Sequence, residues 1–155
     1  MSRELSLSDY EALAELRHQL RCFLRFSEAA ARNAGLEPRQ HQLLLALKGL
    51  PRAQQPRIKE LAERLQIQHH SAVELANRLT AGGYIRRRRS HEDRRSVMLS
   101  LTSKGERVLR QLSLCHQAEL RAQGPELLAA LRGIMRAGAP ARNGTNGRTS
   151  SRKSS

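Results

Sequence analysis

The densest chemistry in the chain is the run RRRRSHEDRR, Arg86 to Arg95, with six arginines in ten residues. Only Ser90, His91, Glu92 and Asp93 interrupt it, so the segment carries a local net charge of +4. Each guanidinium offers a planar fork of donors suited to phosphate oxygens and base edges. An exposed charge run is usually just a solvated surface, but this one has an unusual setting. Val97, Leu99 and Leu101 follow at once in the alternation of a half-buried strand. Tyr84 and Ile85 open a strand on the other side, which makes the basic run the turn of an anchored β-hairpin.

Other reactive side chains do not assemble into a centre. His69 and His70 are adjacent, so on a helix they diverge by about 100° and cannot easily share an ion. His18, His41, His91 and His116 are scattered, and no metal site or cofactor is expected. Cys22 and Cys115 have no metal-ligand spacing. Cys115 falls in an apolar stripe and reads as buried filler. Cys22 lies between Arg21 and Arg25, a basic setting that can make a thiol redox-responsive. No Ser-His-Asp set, paired carboxylates or Gly-rich phosphate loop is present, so the sequence does not read as an enzyme.

The whole chain agrees with the loop. It has 155 residues, a net charge of +14 and a pI near 11.4, which favours a polyanionic partner. Its longest apolar run, Leu43 to Leu47, is far too short to span a bilayer. The amphipathic, acidic start MSRELSLSDYEALAEL does not read as a signal peptide. A cytoplasmic protein with reduced thiols is expected.

The elements that must position the arginines follow from spacing. Ser8 and Glu11 have capping-box spacing before an apolar series Leu13, Leu16, Leu20 and Phe23, a long helix with a narrow seam. Gly35 ends it, and Pro38 opens a second helix containing Leu43, Leu44, Leu45 and Leu47. Ile58, Leu61, Ala62 and Leu65 mark a short third helix. Ala72, Leu75, Ala76 and Leu79 mark the inward side of a fourth, ended by Gly82 and Gly83. After the hairpin, Thr102 is placed to cap a fifth helix with the stripe Val108, Leu109, Leu112, Cys115 and Leu120. Gly124-Pro125 is expected to break the chain before a last helix ending near Met135. From Ala137 onward the chain is small, polar and basic, and is expected to be disordered.

Two short helices followed by a hairpin make a winged helix-turn-helix. The expected fold is mostly α with a small β-hairpin wing. Dimerisation helices over 8–36 and 103–136 would flank a DNA-binding domain over 38–102, with a basic tail over 137–155. The seams at Leu13, Leu16, Leu20 and Phe23, and at Val108, Leu112 and Cys115, are more apolar surface than one small domain can cover, so a homodimer is expected. On the fourth helix, 100° steps place His70, Glu74 and Asn77 opposite the buried side, with Val73 and Arg78 flanking. His69 and Ser71 sit at its N-terminal end. Such a face suits base edges and methyl groups in a major groove. Arginine from the wing, including Arg88, Arg89 and Arg94, suits a narrow minor groove.

The stretch LAERLQIQHHSAVELANRLTAGGYIRR resembles the helix-turn-helix of the MarR family of bacterial transcriptional regulators. EDRRSVMLSLTSKG is similar to that family's wing, where Asp-x-Arg precedes a strand and a Leu-Thr-x-x-Gly turn. Those positions here are Asp93, Arg95, Leu101, Thr102 and Gly105, and the likeness runs from about Leu13 to Met135. The resemblance implies a dimer with intertwined terminal helices and two winged domains on a pseudo-palindromic operator. It also implies that Arg95 enters the minor groove, that Asp93 orients the wing arginines, and that a small ligand, often an aromatic acid, binds between the dimerisation helices and the winged domain. Glu74 departs from the pattern, since many members carry a basic or small polar residue there. The expected function is a dimeric, DNA-binding repressor open to ligand control. A nucleoid-type architectural protein and a redox-responsive regulator using Cys22 are the alternatives. RNA binding is disfavoured by the scarcity of aromatic side chains for stacking.

Overall fold

A computed structural model describes residues 4–90 and 96–137. Within them lie α1 (Leu7–Asn33), α2 (Pro38–Lys48), α3 (Ile58–Leu65), α4 (His69–Ala81), β1 (Ile85–Arg89), β2 (Val97–Leu101) and α5 (Ser103–Ala137). Helices α2 to α4 and the antiparallel β1–β2 hairpin form the winged body, and α1 packs chiefly along α5. Those two long helices run antiparallel: Ala12 lies beside Gly133, and Ser27 beside His116.

α1 begins earlier than the Ser8–Glu11 spacing predicts. Ser6 is the N-cap, and its hydroxyl accepts from the Asp9 N–H at 3.3 Å. The Asp9 carboxylate in return accepts from the Ser6 N–H and hydroxyl, each at 2.8 Å. Ser-x-x-Asp satisfies the same capping geometry as Ser-x-x-Glu, and the earlier box adds helical residues. At the other end Gly35 turns left-handed, φ +81°. The Leu36 N–H then donates to Ala31 O and the Gly35 N–H to Arg32 O, a Schellman closure that delivers Leu36 into the core.

The core draws on every element except α1, whose half-buried Ala30 packs against it. Leu36, Leu43, Leu44, Leu47, Leu61, Ala76, Leu79, Ile85, Leu99, Leu109 and Leu112 are buried together. The α3–α4 turn is tight because Gln66 takes the left-handed conformation, φ 53°, and its Nε2 donates to Glu63 O. β2 is held on both edges. It pairs with β1 from Ile85↔Leu101 to Arg89↔Val97, and its Leu99 N–H donates to Pro56 O in the loop before α3.

The junction of β2 and α5 explains the Leu-Thr-x-x-Gly pattern. The Thr102 N–H donates to Tyr84 O and its hydroxyl to Gly83 O, while that hydroxyl also accepts from the Gly105 N–H. Any Cβ on Gly105 would lie 2.1 Å from Tyr84 O, so only glycine permits this approach. Lys104 completes the knot, donating to Gly82 O at 2.8 Å with its Nζ 4.3 Å from the Tyr84 ring centroid.

Two expectations need correction here. Gly124-Pro125 does not break the chain, and α5 runs unbroken for 35 residues with Pro125 inside it. A proline forfeits one backbone bond and crowds the carbonyl four residues back, but its further conflict with the Cβ of the preceding residue is absent here because Gly124 has none. Cys115 is exposed rather than buried. From Leu112 the inward face continues four residues on, at His116, and Cys115 falls roughly 60° to the other side of Leu112, about 100° from His116. The expected tail lies, past Ala137, outside the described residues.

Candidate nucleic-acid interface

Helix α4 presents the face that its periodicity predicts. Ala72, Ala76 and Leu79 are buried and Leu75 is half-buried. His69, His70, Glu74, Asn77 and Arg78 are exposed, with Ser71 and Val73 half-buried at the margin. Burial of the small Ala72 and Ala76 lets α4 sit close against the body, so its outer face is carried by a rigid floor.

Two side-chain bonds organise that face. Arg78 Nη2 donates to Glu74 Oε1 at 2.5 Å, an i,i+4 pair exposed to solvent on both sides. The carboxylate thus has a partner on its own helix, in the favourable acid-before-base order. Arg87 Nη2 donates to Asn77 Oδ1, also at 2.5 Å, and so links β1 to α4. Sequence spacing gives no sign of this second bond, because it depends on how the hairpin is laid against the helix.

The basic run is built differently from the expected turn. Arg86, Arg87, Arg88 and Arg89 belong to strand β1 itself, and all four are exposed. Alternation places Ile85, Arg87 and Arg89 on one side of the hairpin, opposite Leu101, Leu99 and Val97. Ile85 and Leu99 are buried, whereas Val97 is 39% exposed. The hairpin therefore projects beyond the body, and its outer half carries arginine on both faces. The Ser90 N–H donates to Ser96 O at 2.9 Å, one rung past the ladder. Among the described residues no acidic side chain pairs with any of these four arginines. His91, Asp93, Arg94 and Arg95 lie outside the described residues.

The seam residues divide in two. Leu13 and Leu20 are exposed and Leu16, Phe23 and Val108 half-buried, while Leu112 is only 3% exposed, inside the chain's own core. Leu24, Leu114, Leu128 and Leu131 are also exposed on the long helices. Cys22 Sγ lies 3.6 Å from His18 Nε2, one turn away. No group of three or more His, Cys, Asp or Glu among the described residues could hold a metal ion. No helix among the described residues is long and apolar enough to cross a membrane.

A helix-turn-helix with its outer face open, and a basic hairpin bonded to its second helix, defines a winged helix-turn-helix protein. Residues 34–96 match the model of the MarR family. The winged segment is thus similar to that family over about two-fifths of the chain. The crystal structure of AbsC, a MarR family transcriptional regulator from Streptomyces coelicolor, is similar over 88% of this chain and 93% of its own, at 21% identity and a TM-score of 0.68. A second regulator of the family from that organism, solved in complex with DNA, covers 88% of each chain at 24% identity and a TM-score of 0.66. The transcriptional repressor CouR, solved bound to a 23-mer DNA duplex, is 28% identical over 86% of this chain and 99% of its own, with a TM-score of 0.61. Among curated proteins the chain has no significant match. The family's members are transcription regulators, not enzymes.

Proposed function

We propose that this protein is a regulator of the MarR type, a homodimeric, sequence-specific DNA-binding repressor. The carrying observation is the bond between Asn77 and Arg87, which joins the open face of α4 to the arginine-bearing hairpin and makes them one surface. On this reading His69, His70, Ser71, Val73, Glu74, Asn77 and Arg78 meet a major groove. Arg88, Arg89, Arg94 and Arg95, with Asp93 orienting them, serve the adjacent backbone and minor groove. The repressor CouR in its DNA complex and the DNA-bound Streptomyces regulator support the assignment by likeness.

Dimerisation falls to the exposed apolar residues of α1 and α5, among them Leu13, Leu20 and Leu128. A two-fold axis through these helices would present two α4 faces to successive turns of one duplex. Control by a small apolar or aromatic ligand between the dimerisation helices and the winged body belongs to the same reading.

Selection of bound DNA from a random pool tests it. Recovery of a pseudo-palindromic consensus is the expected result. Enrichment by composition alone would favour the architectural alternative and remove the regulator reading.

A further inference from the structure

The Asn77–Arg87 bond has a consequence for which base the protein reads. An arginine guanidinium only donates, so the Asn77 atom facing it is the carboxamide oxygen. That bond is charge-assisted and short, and it fixes which end of the carboxamide points where. The other end is the Nδ2 amino group, a donor, on an exposed residue of α4. Arg87 is exposed too, and its remaining N–H groups are donors. Asn77 and Arg87 together therefore offer a ligand mainly donors, the one remaining acceptor being the second lone pair of an oxygen already engaged by a cation.

Asparagine by itself reads adenine, accepting from N6 and donating to N7. Beside Arg87 that pattern fails. The adenine amino group would meet an oxygen already engaged by a cation, with further N–H groups next to it. Guanine instead presents two acceptors, N7 and O6, to the major groove. We propose that Asn77 and Arg87 form a single, donor-dominated reading unit that specifies guanine over adenine at one position of each half-site. Arg87 acts in it from the wing strand rather than from the recognition helix. The neighbouring pair leaves this unit undisturbed, because Glu74 is held by Arg78 and does not compete for the Arg87 guanidinium. The inference rests on the reading of α4 as the DNA-facing helix.

The test is random-pool selection with the full-length wild type, Asn77→Ala, Arg87→Ala and Arg87→Lys, each first checked for an unchanged unfolding transition. Asn77→Ala identifies the position that the unit reads, as the one whose preference disappears. Wild type should select guanine there. Arg87→Ala frees the Asn77 oxygen and should shift that position toward adenine by about tenfold, leaving the rest of the consensus intact. Arg87→Lys keeps a cationic donor and should retain guanine. If wild type selects adenine there, or Asn77→Ala alters no position, the unit does not exist. If Arg87→Ala lowers affinity equally for all sequences, Arg87 only contacts phosphate and the proposal is overturned, while the regulator reading stands. Absence of any consensus in wild type would instead overturn the underlying reading.

Discussion

The imidazole rings of His41 on α2 and His116 on α5 are stacked, with centroids 4.9 Å apart and planes 27° from parallel. His116 is oriented from two sides. Its Nδ1 lies 2.5 Å from Leu112 O, which can only accept, so that nitrogen carries the proton, and its Nε2 lies 2.7 Å from Ser27 Oγ. Phe23 and Phe26 meet the same ring edge-on. The stack thus joins the winged body to both long helices.

Acid should loosen this joint. Burial, and secondarily the charge of His116, hold the pKa of His41 below its ordinary value. The unfolded chain then binds more protons than the folded one between the lowered value and about 6.5. Stability associated with a neutral His41 is complete above that upper limit and is lost as pH falls through the lowered folded value. Thermal unfolding from pH 8 to pH 5 should show wild type losing stability more steeply than His41→Phe. Equal slopes would place the acid sensitivity elsewhere.

Gly105→Ala should destabilise the protein by about 2 kcal/mol or more, since a Cβ 2.1 Å from Tyr84 O forces the start of α5 away from the hairpin. Denaturant unfolding measures the loss directly. A shift of less than about 0.5 kcal/mol would mean that this junction has more room than its geometry gives it.

Charging the outer helix faces should separate protomers without unfolding them. Leu20 and Leu128 are 38% and 51% exposed in the single chain. Leu20→Glu with Leu128→Glu is expected to sediment as a helical monomer where wild type sediments as a dimer. Leu112→Glu, by contrast, should unfold the chain, because Leu112 belongs to its own core. A wild-type monomer at micromolar concentration would end the dimer proposal.

Glu74→Gln should raise affinity for all DNA by roughly threefold, by removing one negative charge from the face proposed to meet DNA. The selected consensus should stay the same, because the carboxylate is already engaged by Arg78. Loss of one symmetric C·G pair from the consensus would instead make Glu74 a reader of cytosine.

Much of the architecture was legible because it depends on local pattern. The inward side of α4, the glycine closures and the Thr102 cap each follow from spacing within a few residues. What the pattern missed depends on distant partners or on relief of a local rule. Pro125 reads as a break until Gly124 is seen to remove one of the clashes that usually enforce it. Cys115 reads as inward because a stripe can advance by three or by four, and only packing against α1 selects His116. Arg86 to Arg89 read as turn because strands rarely carry four consecutive charges, whereas here Leu99 and Ile85 anchor the base and leave the outer half free. The Asn77–Arg87 bond crosses between elements and has no sequence signature.

The unbroken α5 gives the molecule a lever. Thirty-five residues at 1.5 Å each make a rod of roughly 50 Å. Its first turn is knotted to the hairpin through Thr102 and Gly105, and His116 forms a fulcrum about 20 Å further along. A tilt of about 5° at that fulcrum would carry the hairpin base by about 2 Å, a large fraction of a base-pair step. Because α5 is continuous through Gly124-Pro125, displacement of its far end about that fulcrum would be carried to the hairpin base reduced to roughly two-thirds, the ratio of the two arms.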